Sequence, residues 1–138
     1  MTKKDIDWVT IDSLIHNIAV KIDTDSPNIQ YIYGIPRGGL IPAVLLSHKL
    51  GIPLTQNLKN YSLIVDDISD SGNTLKEVVE RAHNPINNYT YVHTATLFER
   101  QGTIFEPDFI GEHIKYDDWL VFPWEYEIHA VENMETIV

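Results

Sequence analysis

The fold is constrained most by the way in which strand-like and helical patterns alternate along the chain. Segments rich in β-branched and aromatic residues begin at Ile29, Tyr61 and Tyr89, and the helical patterns "LIPAVLLSHKL" and "TLKEVVERAH" separate them. Such alternation is typical of βαβ units, in which helices join parallel strands and cover the sheet. The sequence therefore predicts an α/β protein with a mostly parallel sheet flanked by helices.

Local signals place the first helices more closely. Apolar residues recur at helical spacing from Ile11 to Ile22, and Thr10 stands where a residue could cap that helix. Gly51 is placed to end the second helix, and a short strand is expected at residues 52–54. Near the end of the chain, the sequence favours a strand at "DFIGEHI" and an irregular aromatic segment at "DDWLVFPWEYE".

Length, composition and charge exclude several classes of protein. The 138 residues suffice for one domain, 1–138, with a substantial core. Neither a membrane-spanning apolar run nor a secretory leader is visible, so the sequence predicts a cytoplasmic protein without a membrane partner. The absence of cysteine excludes disulfides and thiolate metal sites. A formal net charge of -10 argues against nucleic acid as a partner, since that requires a clustered basic surface.

The segment "LIVDDISDSGNT", residues 63–74, carries the most informative polar residues. Asp66 and Asp67 stand at the carboxyl end of an apolar strand, where open α/β sheets bind their ligands. Adjacent carboxylates repel each other, and Mg²⁺ or sugar hydroxyl groups would offset that repulsion. Gly72 and the following helix N-terminus could form an anion cradle. The ordinary alternative is a βα turn in which Thr74 caps the helix.

The complete pattern resembles the motif that binds 5-phosphoribosyl-1-pyrophosphate in the type I phosphoribosyltransferases. A second segment, "YGIPRGGLIPAVLLSHKLGIPL", resembles the first phosphate loop of that family, with Arg37 and Gly38 after a strand. Arginine supplies a forked cation, and glycine lets the backbone approach a pyrophosphate. The alternative is a loop with a solvated arginine. The resemblance also implies a cis peptide bond between Pro36 and Arg37.

Two further segments, "TLFERQG" and "DDWLVFPWE", resemble the xanthine-guanine branch of the family. This resemblance implies that Arg100 contacts the 6-oxo group of a purine, that Trp119 stacks on the base and that the Leu120 backbone reads its edge. Arg100 stands where the family has a lysine, and its larger forked group can alter which base fits. The alternatives are a surface charge for Arg100 and a core or interface position for Trp119.

The resemblance implies a Mg²⁺-dependent enzyme that moves ribose 5-phosphate from 5-phosphoribosyl-1-pyrophosphate to guanine, xanthine or hypoxanthine and releases pyrophosphate. The altered hood segment leaves adenine, a pyrimidine or a non-base acceptor as alternatives. Asp66 and Asp67 would hold the ribose hydroxyl groups, directly or through the metal, and Asp70 would be the general base near purine N7. The residues implied around the 5′-phosphate are Ser71, Gly72, Asn73 and Thr74. A homodimer or larger homo-oligomer is implied by the family alone.

The chain departs from the family in the connection before the paired aspartates. Only fourteen residues separate Gly51 from Asp66, where the family normally carries a longer stretch with a mobile loop that closes over the site. We therefore expect a reduced hood and a shortened flexible loop, in which Lys59 is the only cation. This departure leaves one alternative open, a non-catalytic regulatory protein that binds a phosphoribosyl compound or nucleotide. A third possibility, an α/β scaffold for protein contacts, requires the three motifs to occur in this order by chance.

Overall fold

The computed structural model describes residues 2–125. They form six strands and three helices, and none of these helices has the length and apolarity needed to cross a membrane. In chain order, the elements are β1 (Thr2–Asp5), α1 (Trp8–Asp25), β2 (Tyr31–Gly34), α2 (Leu40–Leu50), β3 (Ser62–Ser69), α3 (Asn73–His83), β4 (Val92–Arg100), β5 (Phe109–Ile114) and β6 (Asp118–Val121).

The main sheet is fully parallel, with the strand order β2-β3-β4-β5. Ile32 of β2 pairs with Leu63 of β3 on one side and with Leu54 in an isolated bridge on the other. The strand expected at 52–54 is therefore reduced to one bridge. Because the chain leaves β2 on one side and returns on the other, a topological switch point lies between β2 and β3. Ligands bind at such points in open α/β sheets.

Helices cover both faces of this sheet, as the sequence predicts. Leu63 and Val65 share one core cluster with buried residues of α1 and α2. Ile64, between them, lies in a second cluster with Leu75 and Val78 of α3. Successive side chains of a strand point to opposite faces, so a strand covered on both sides needs an unbroken apolar sequence. The predicted α/β fold class is confirmed.

A second, two-stranded sheet forms a small hood, defined here as β1 and β6. The strands are parallel, with Lys4 opposite Leu120. Leu120 and Phe122 lie in the same core cluster as α1. The expectation of an irregular segment is therefore wrong for residues 118–121, while residues 126–127 of that stretch lie outside the described residues. β1 was not predicted, because its exposed side chains show no apolar alternation.

The start of α1 differs from the prediction, and α3 does not begin at the cap that the ordinary alternative for its loop assumed. α1 begins at Trp8, and the Asp7 side chain accepts a hydrogen bond from the Thr10 backbone N–H at 2.8 Å. Asp7 is the cap, so Thr10 lies within the first turn. α3 begins directly after Gly72, which places Thr74 inside that helix instead of at its cap. Aspartate and glycine compete with threonine at helix starts, and the backbone geometry decides between them.

The short connection after α2, residues 55–61, lies at the amino ends of the strands. The carbonyl oxygen of Tyr61 accepts from the N–H groups of Gln30 and Tyr31, at the start of β2. The Lys59 backbone N–H donates to Ser62 Oγ at the start of β3, and its Nζ lies 4.8 Å from the Tyr31 ring centroid. The opposite edge of the sheet carries the predicted site residues. The shortened connection is thus present, and it lies at the end of the sheet away from them.

Candidate active site

Three loops meet at the carboxyl edge of the main sheet. They follow β2, β3 and β4, and the strand register brings Gly34 beside Val65, and Ser69 beside Glu99. Parallel pairing makes these loops neighbours although they are tens of residues apart in sequence. All the candidate ligand-binding residues except the hood residues Trp119 and Leu120 lie on these loops or at the adjoining ends of strands and helices.

The loop after β2 rests against the paired aspartates. The Pro36–Arg37 peptide bond is cis, as the resemblance implies, and Arg37 is exposed. A Cβ atom added to Gly38 would overlap the Asp67 carboxylate, so glycine is needed for this close approach. The fold therefore brings together three residues predicted to bind 5-phosphoribosyl-1-pyrophosphate, namely Arg37, Gly38 and Asp67.

Asp66 and Asp67 place two carboxyl groups next to each other, and a bound cation would offset the repulsion between them. Asp66 Oδ1 accepts from the Asp67 N–H at 2.9 Å, and Asp67 Oδ1 accepts from the Ile68 N–H at 2.8 Å. Burial and, second, the Asp67 charge raise the pKa of Asp66 to about 8. Within residues 2–125, no cluster of three or more His, Asp or Glu side chains is arranged to hold a metal. The pair fits Mg²⁺, which binds one or two carboxylates and completes its shell with phosphate oxygens and water.

The loop after β3 leads into the N-terminus of α3. Gly72 has a φ of 91°, and a Cβ atom there would lie 2.6 Å from both the Phe105 nitrogen and Thr103 Oγ1. The Asn73 N–H donates to Ser71 Oγ at 3.2 Å. A small cavity of about 50 Å³ is lined by Asp66, Ile68, Ser69, Asp70, Ser71, Gly72, Thr74 and Leu75. Backbone N–H groups at a helix start favour an anion, as a 5′-phosphate would be.

A segment that the sequence analysis did not identify holds this loop in place. Ser69 Oγ lies 2.9 Å from Thr103 Oγ1 and donates to the Phe105 carbonyl oxygen at 2.8 Å. The Ile104 N–H donates to the Ser71 carbonyl oxygen at 2.9 Å. Residues 103–105 carry no recognisable motif, so only their position in the fold reveals this contact.

A larger cavity of about 510 Å³ adjoins the small one at Asp70. It is lined by Asp70, Arg100, Tyr116, Asp117, Asp118 and Trp119. Arg100 Nε donates to Asp70 Oδ1 at 2.6 Å. Trp119 is 51% exposed, and Lys3 Nζ lies over its ring, 5.9 Å from the centroid. An exposed aromatic ring of this kind can stack on a planar ligand. Three residues from separate parts of the predicted site thus line one cavity.

Two buried residues of β6, Leu120 and Asp118, border the base side of the candidate site. The Leu120 side chain is buried in the core, so only its backbone is available to a ligand. Asp118 was not singled out, yet it is buried, and its carboxylate lies 3.2 Å from Lys4 Nζ. A hydrogen bond from the Lys115 N–H and the nearby Lys4 keep the pKa of Asp118 below its ordinary value. The adjacent Asp117 and Asp118 in the sequence were the signal that could have identified Asp118.

Comparison with known proteins decides the family. A model of the phosphoribosyl transferase domain matches residues 60–130, half of the chain. The chain belongs to this family. A purine phosphoribosyltransferase from Pyrococcus horikoshii Ot3 has a similar structure, with a TM-score of 0.75 and 34% identity over 92% of this chain and 97% of that one.

Other phosphoribosyltransferases agree with this assignment. The xanthine-guanine phosphoribosyltransferase of Cereibacter sphaeroides is 29% identical, and the match covers 92% of this chain and 89% of the relative. The structure of the Helicobacter pylori xanthine-guanine-hypoxanthine phosphoribosyltransferase is similar in fold, with a TM-score of 0.77 and 18% identity over 97% of both chains. The resemblance and the enzyme class predicted from the sequence are confirmed.

Proposed function

We propose that this phosphoribosyltransferase is a Mg²⁺-dependent enzyme that transfers ribose 5-phosphate from 5-phosphoribosyl-1-pyrophosphate to a 6-oxopurine and releases pyrophosphate. Two relatives are named as xanthine-guanine phosphoribosyltransferases and one similar structure as a purine phosphoribosyltransferase, which supports a purine as acceptor. The observation that carries the proposal is the position of Asp70, which lines both the small cavity after β3 and the larger cavity beside Trp119. A carboxylate between the two cavities can act on both substrates at once.

The donor would lie along the carboxyl edge of the sheet. We assign the pyrophosphate to Arg37 and Gly38, and the 5′-phosphate to the loop and helix start formed by Ser71, Gly72, Asn73 and Thr74. Asp66 and Asp67 would hold the ribose hydroxyl groups and the Mg²⁺ ion. When bound, Mg²⁺ would neutralise charge on the departing pyrophosphate. The adjacency of the two carboxylates supports this assignment, because a bound cation would offset the repulsion between them.

The base would lie in the larger cavity, between Asp70, Arg100 and Trp119. A 6-oxopurine with a proton on N7 presents an oxygen acceptor beside an N–H donor. Arg100 would donate to the oxygen and Asp70 would accept from N7, since the two side chains lie next to each other. Adenine would present an amino donor to the Arg100 guanidinium instead. Trp119 would stack on the ring, and the Leu120 backbone would meet its edge.

In the proposed reaction, a ring nitrogen of the base forms a bond to C1 of the ribose while the bond from C1 to the pyrophosphate oxygen breaks. The N7 proton passes to the Asp70 carboxylate, which acts as the general base. The three loops hold donor and base in contact, and such positioning supplies much of the rate. No other proton acceptor is required for the balance of the step.

We assign residues 1–138 to one domain, since one core cluster extends from Ile11 to Phe122. A cytoplasmic location and a homodimer or larger homo-oligomer complete the assignment, with neither nucleic acid nor membrane as partner. The net charge of -10 supports the exclusion of nucleic acid.

A second function is favoured by one observation, the position of the connection at residues 55–61. This connection lies at the amino ends of the strands and cannot cover the site. Lids exclude water and complete active sites in many transferases. A regulatory protein that binds a phosphoribosyl compound or nucleotide would not need one.

The experiment that separates the two functions measures pyrophosphate release with donor and Mg²⁺. Guanine, xanthine, hypoxanthine and adenine are supplied one at a time, and a reaction without base is the control. We expect release with at least one 6-oxopurine, little with adenine and little without base. Silence with every base, together with measurable binding of donor or nucleotide, would establish the regulatory function instead.

A further inference from the structure

Arg100 ends β4, and its guanidinium reaches two separate loops. Nε donates to Asp70 Oδ1 at 2.6 Å, in the loop after β3. Nη1 donates to the carbonyl oxygens of Lys115 and Tyr116 at 3.1 and 3.2 Å, and also to that of Asp118. The Arg100 side chain is only 17% exposed. A single guanidinium therefore links the loop after β3 to the turn between β5 and β6.

This turn, residues 115–118, is called the carbonyl turn here because three of its carbonyl oxygens point at one nitrogen. The turn is closed by two bonds, from the Asp118 N–H to the Lys115 carbonyl oxygen at 3.2 Å and from the Lys115 N–H to Asp118 Oδ2 at 3.1 Å. Carbonyl dipoles that converge on one point repel each other unless a donor lies between them, and a charged donor makes the strongest bonds. Arg100 is that donor, and Trp119 is the next residue of the chain.

The shape of the guanidinium matters as much as its charge. Arginine presents several N–H donors in a rigid planar fork, whereas lysine has one ammonium group on a flexible stem. The bonds that residues 2–125 make to the Arg100 side chain use Nε and Nη1. Nη2 is left to meet a ligand. One lysine nitrogen could not serve the Asp70 carboxylate, three carbonyl oxygens and a base.

We propose that Arg100 is a positioning residue that assembles the base cavity by holding the carbonyl turn, and with it Trp119, against the Asp70 loop. This role is additional to the base contact assigned to Arg100, and the inference rests on the proposed function for its catalytic consequence. Tight binding of the base then requires the arginine fork, and a positive charge alone is insufficient.

Hydrogen–deuterium exchange on the full, ligand-free chain tests the positioning role without any activity. We compare the wild type with Arg100→Lys, and with Arg81→Lys as the matched control on the exposed end of α3. In Arg100→Lys, we expect the amides of residues 115–120 to exchange about tenfold faster, since one ammonium group cannot replace the bonds that the guanidinium makes to Asp70 and to three carbonyl oxygens of the turn. The α3 amides should be unchanged. Arg81→Lys should resemble the wild type everywhere.

Steady-state kinetics adds a second readout. In Arg100→Lys, the KM for the 6-oxopurine should rise about tenfold or more, while the KM for 5-phosphoribosyl-1-pyrophosphate stays within about twofold. Arg81→Lys should change neither. A general loss of structure would raise both KM values and would lower the melting temperature, so the split between the substrates identifies a local role.

Wild-type exchange in residues 115–120 of Arg100→Lys would overturn the proposal, and an unchanged KM for the base would do the same. If the wild type turned over no base, the proposed function would fail, while the exchange experiment would still decide the positioning role. If Arg100→Lys exchanged faster throughout α3 as well, Asp70→Asn would replace it in the exchange experiment. That variant weakens only the Nε bond, and a smaller acceleration confined to residues 115–120 is then expected.

Discussion

Ser69 Oγ and Thr103 Oγ1 lie 2.9 Å apart, although the two residues are 34 positions apart in sequence. Ser69 ends β3 directly before the loop assigned to the 5′-phosphate, and Thr103 belongs to the segment after β4. Ser69 is buried, so the two hydroxyl groups depend on each other and on the Phe105 carbonyl oxygen for hydrogen bonds. The loop after β3, to which we assign the 5′-phosphate, is called the phosphate loop from here on. Its position depends on residues 103–105, which follow Arg100 closely in the chain.

Thr103→Val should weaken donor binding more than base binding. Valine keeps the shape of threonine but leaves the Ser69 hydroxyl with one partner fewer, at a cost of about 1–3 kcal/mol. In Thr103→Val, we expect the KM for 5-phosphoribosyl-1-pyrophosphate to rise by about tenfold and the KM for the base to change little. Thr103→Ser keeps the hydroxyl group, so its KM values should equal those of the wild type. Steady-state kinetics with each substrate varied in turn measures these values.

Thr94→Val is the matched control for that experiment. Thr94 is buried, whereas Thr103 is partly buried. The Thr94 hydroxyl group donates to Asp108 Oδ2 at 3.2 Å and accepts from the Asp108 N–H at 3.0 Å, away from the phosphate loop. This variant should lose a similar amount of stability without a change in either KM. Equal increases in the donor KM of both variants would show that the Thr103 effect is a general loss of stability.

Asp70→Asn should separate binding from turnover. Asparagine keeps the size of the side chain and can still accept a hydrogen bond from Arg100, but it cannot take a proton from the base. We expect turnover to fall by about 10²-fold or more, with donor affinity within about twofold of the wild type. Titration with the donor and single-turnover kinetics provide the two numbers. A loss of donor binding as large as the loss of turnover would contradict the role of general base.

Trp119→Ala should raise the KM for the base. A stacked aromatic ring contributes about 1–3 kcal/mol to binding of a base, which corresponds to about 5- to 150-fold in affinity. Trp119→Phe should retain part of this contribution, and the donor KM should stay constant. Trp8→Ala is a suitable control, because Trp8 is exposed to a similar degree, 53% against 51%. Similar base KM values for the two alanine variants would exclude stacking on Trp119.

The free energy of unfolding of the metal-free protein should depend on Asp66 and pH. Asp66 keeps its proton in the folded state up to about pH 8, whereas an unfolded aspartate loses it near pH 4. Between these values the folded state binds more protons, so the stability contributed by this residue falls as pH rises. Asp66→Asn removes the titration, so the variant should gain stability relative to the wild type between about pH 4 and pH 8.

Thermal unfolding in the presence of EDTA, at several pH values, measures this difference. Asp12→Asn, on the exposed surface of α1, serves as the control and should show no comparable trend. A constant difference in melting temperature between Asp66→Asn and the wild type from pH 4 to pH 8 would contradict the raised pKa of Asp66.

Much of the donor side could be predicted because it is written in contiguous sequence. The apolar strand, Asp66, Asp67 and Gly72 lie within one stretch of twelve residues, and the Arg37 loop follows directly after β2. Strand periodicity and the preference of glycine for close backbone approaches are local properties. Parallel strand order then brings both loops to one edge of the sheet, so the fold class alone indicates that they meet.

The base side could be predicted only in part. Arg100 and Trp119 were identified by resemblance, but the bond between Arg100 and Asp70 joins residues 30 apart, and the Lys4–Asp118 contact joins residues 114 apart. Neither contact is indicated by side-chain periodicity or by a short motif in the sequence. A reduced hood was expected from the resemblance, but its two strands were not predicted, since β1 is short, polar and exposed.

By itself, the sequence determined the α/β class, the two loops to which we assign the 5-phosphoribosyl-1-pyrophosphate and the charged and aromatic residues to which we assign the base. Only the tertiary structure decided that Arg100 bonds to both Asp70 and the carbonyl turn, that Thr103 supports the phosphate loop and that the connection at 55–61 lies at the far edge of the sheet. The physical reason is that backbone propensities and side-chain periodicity act over a few residues. Bonds between distant side chains, in contrast, depend on how strands are ordered and registered, which no short segment specifies.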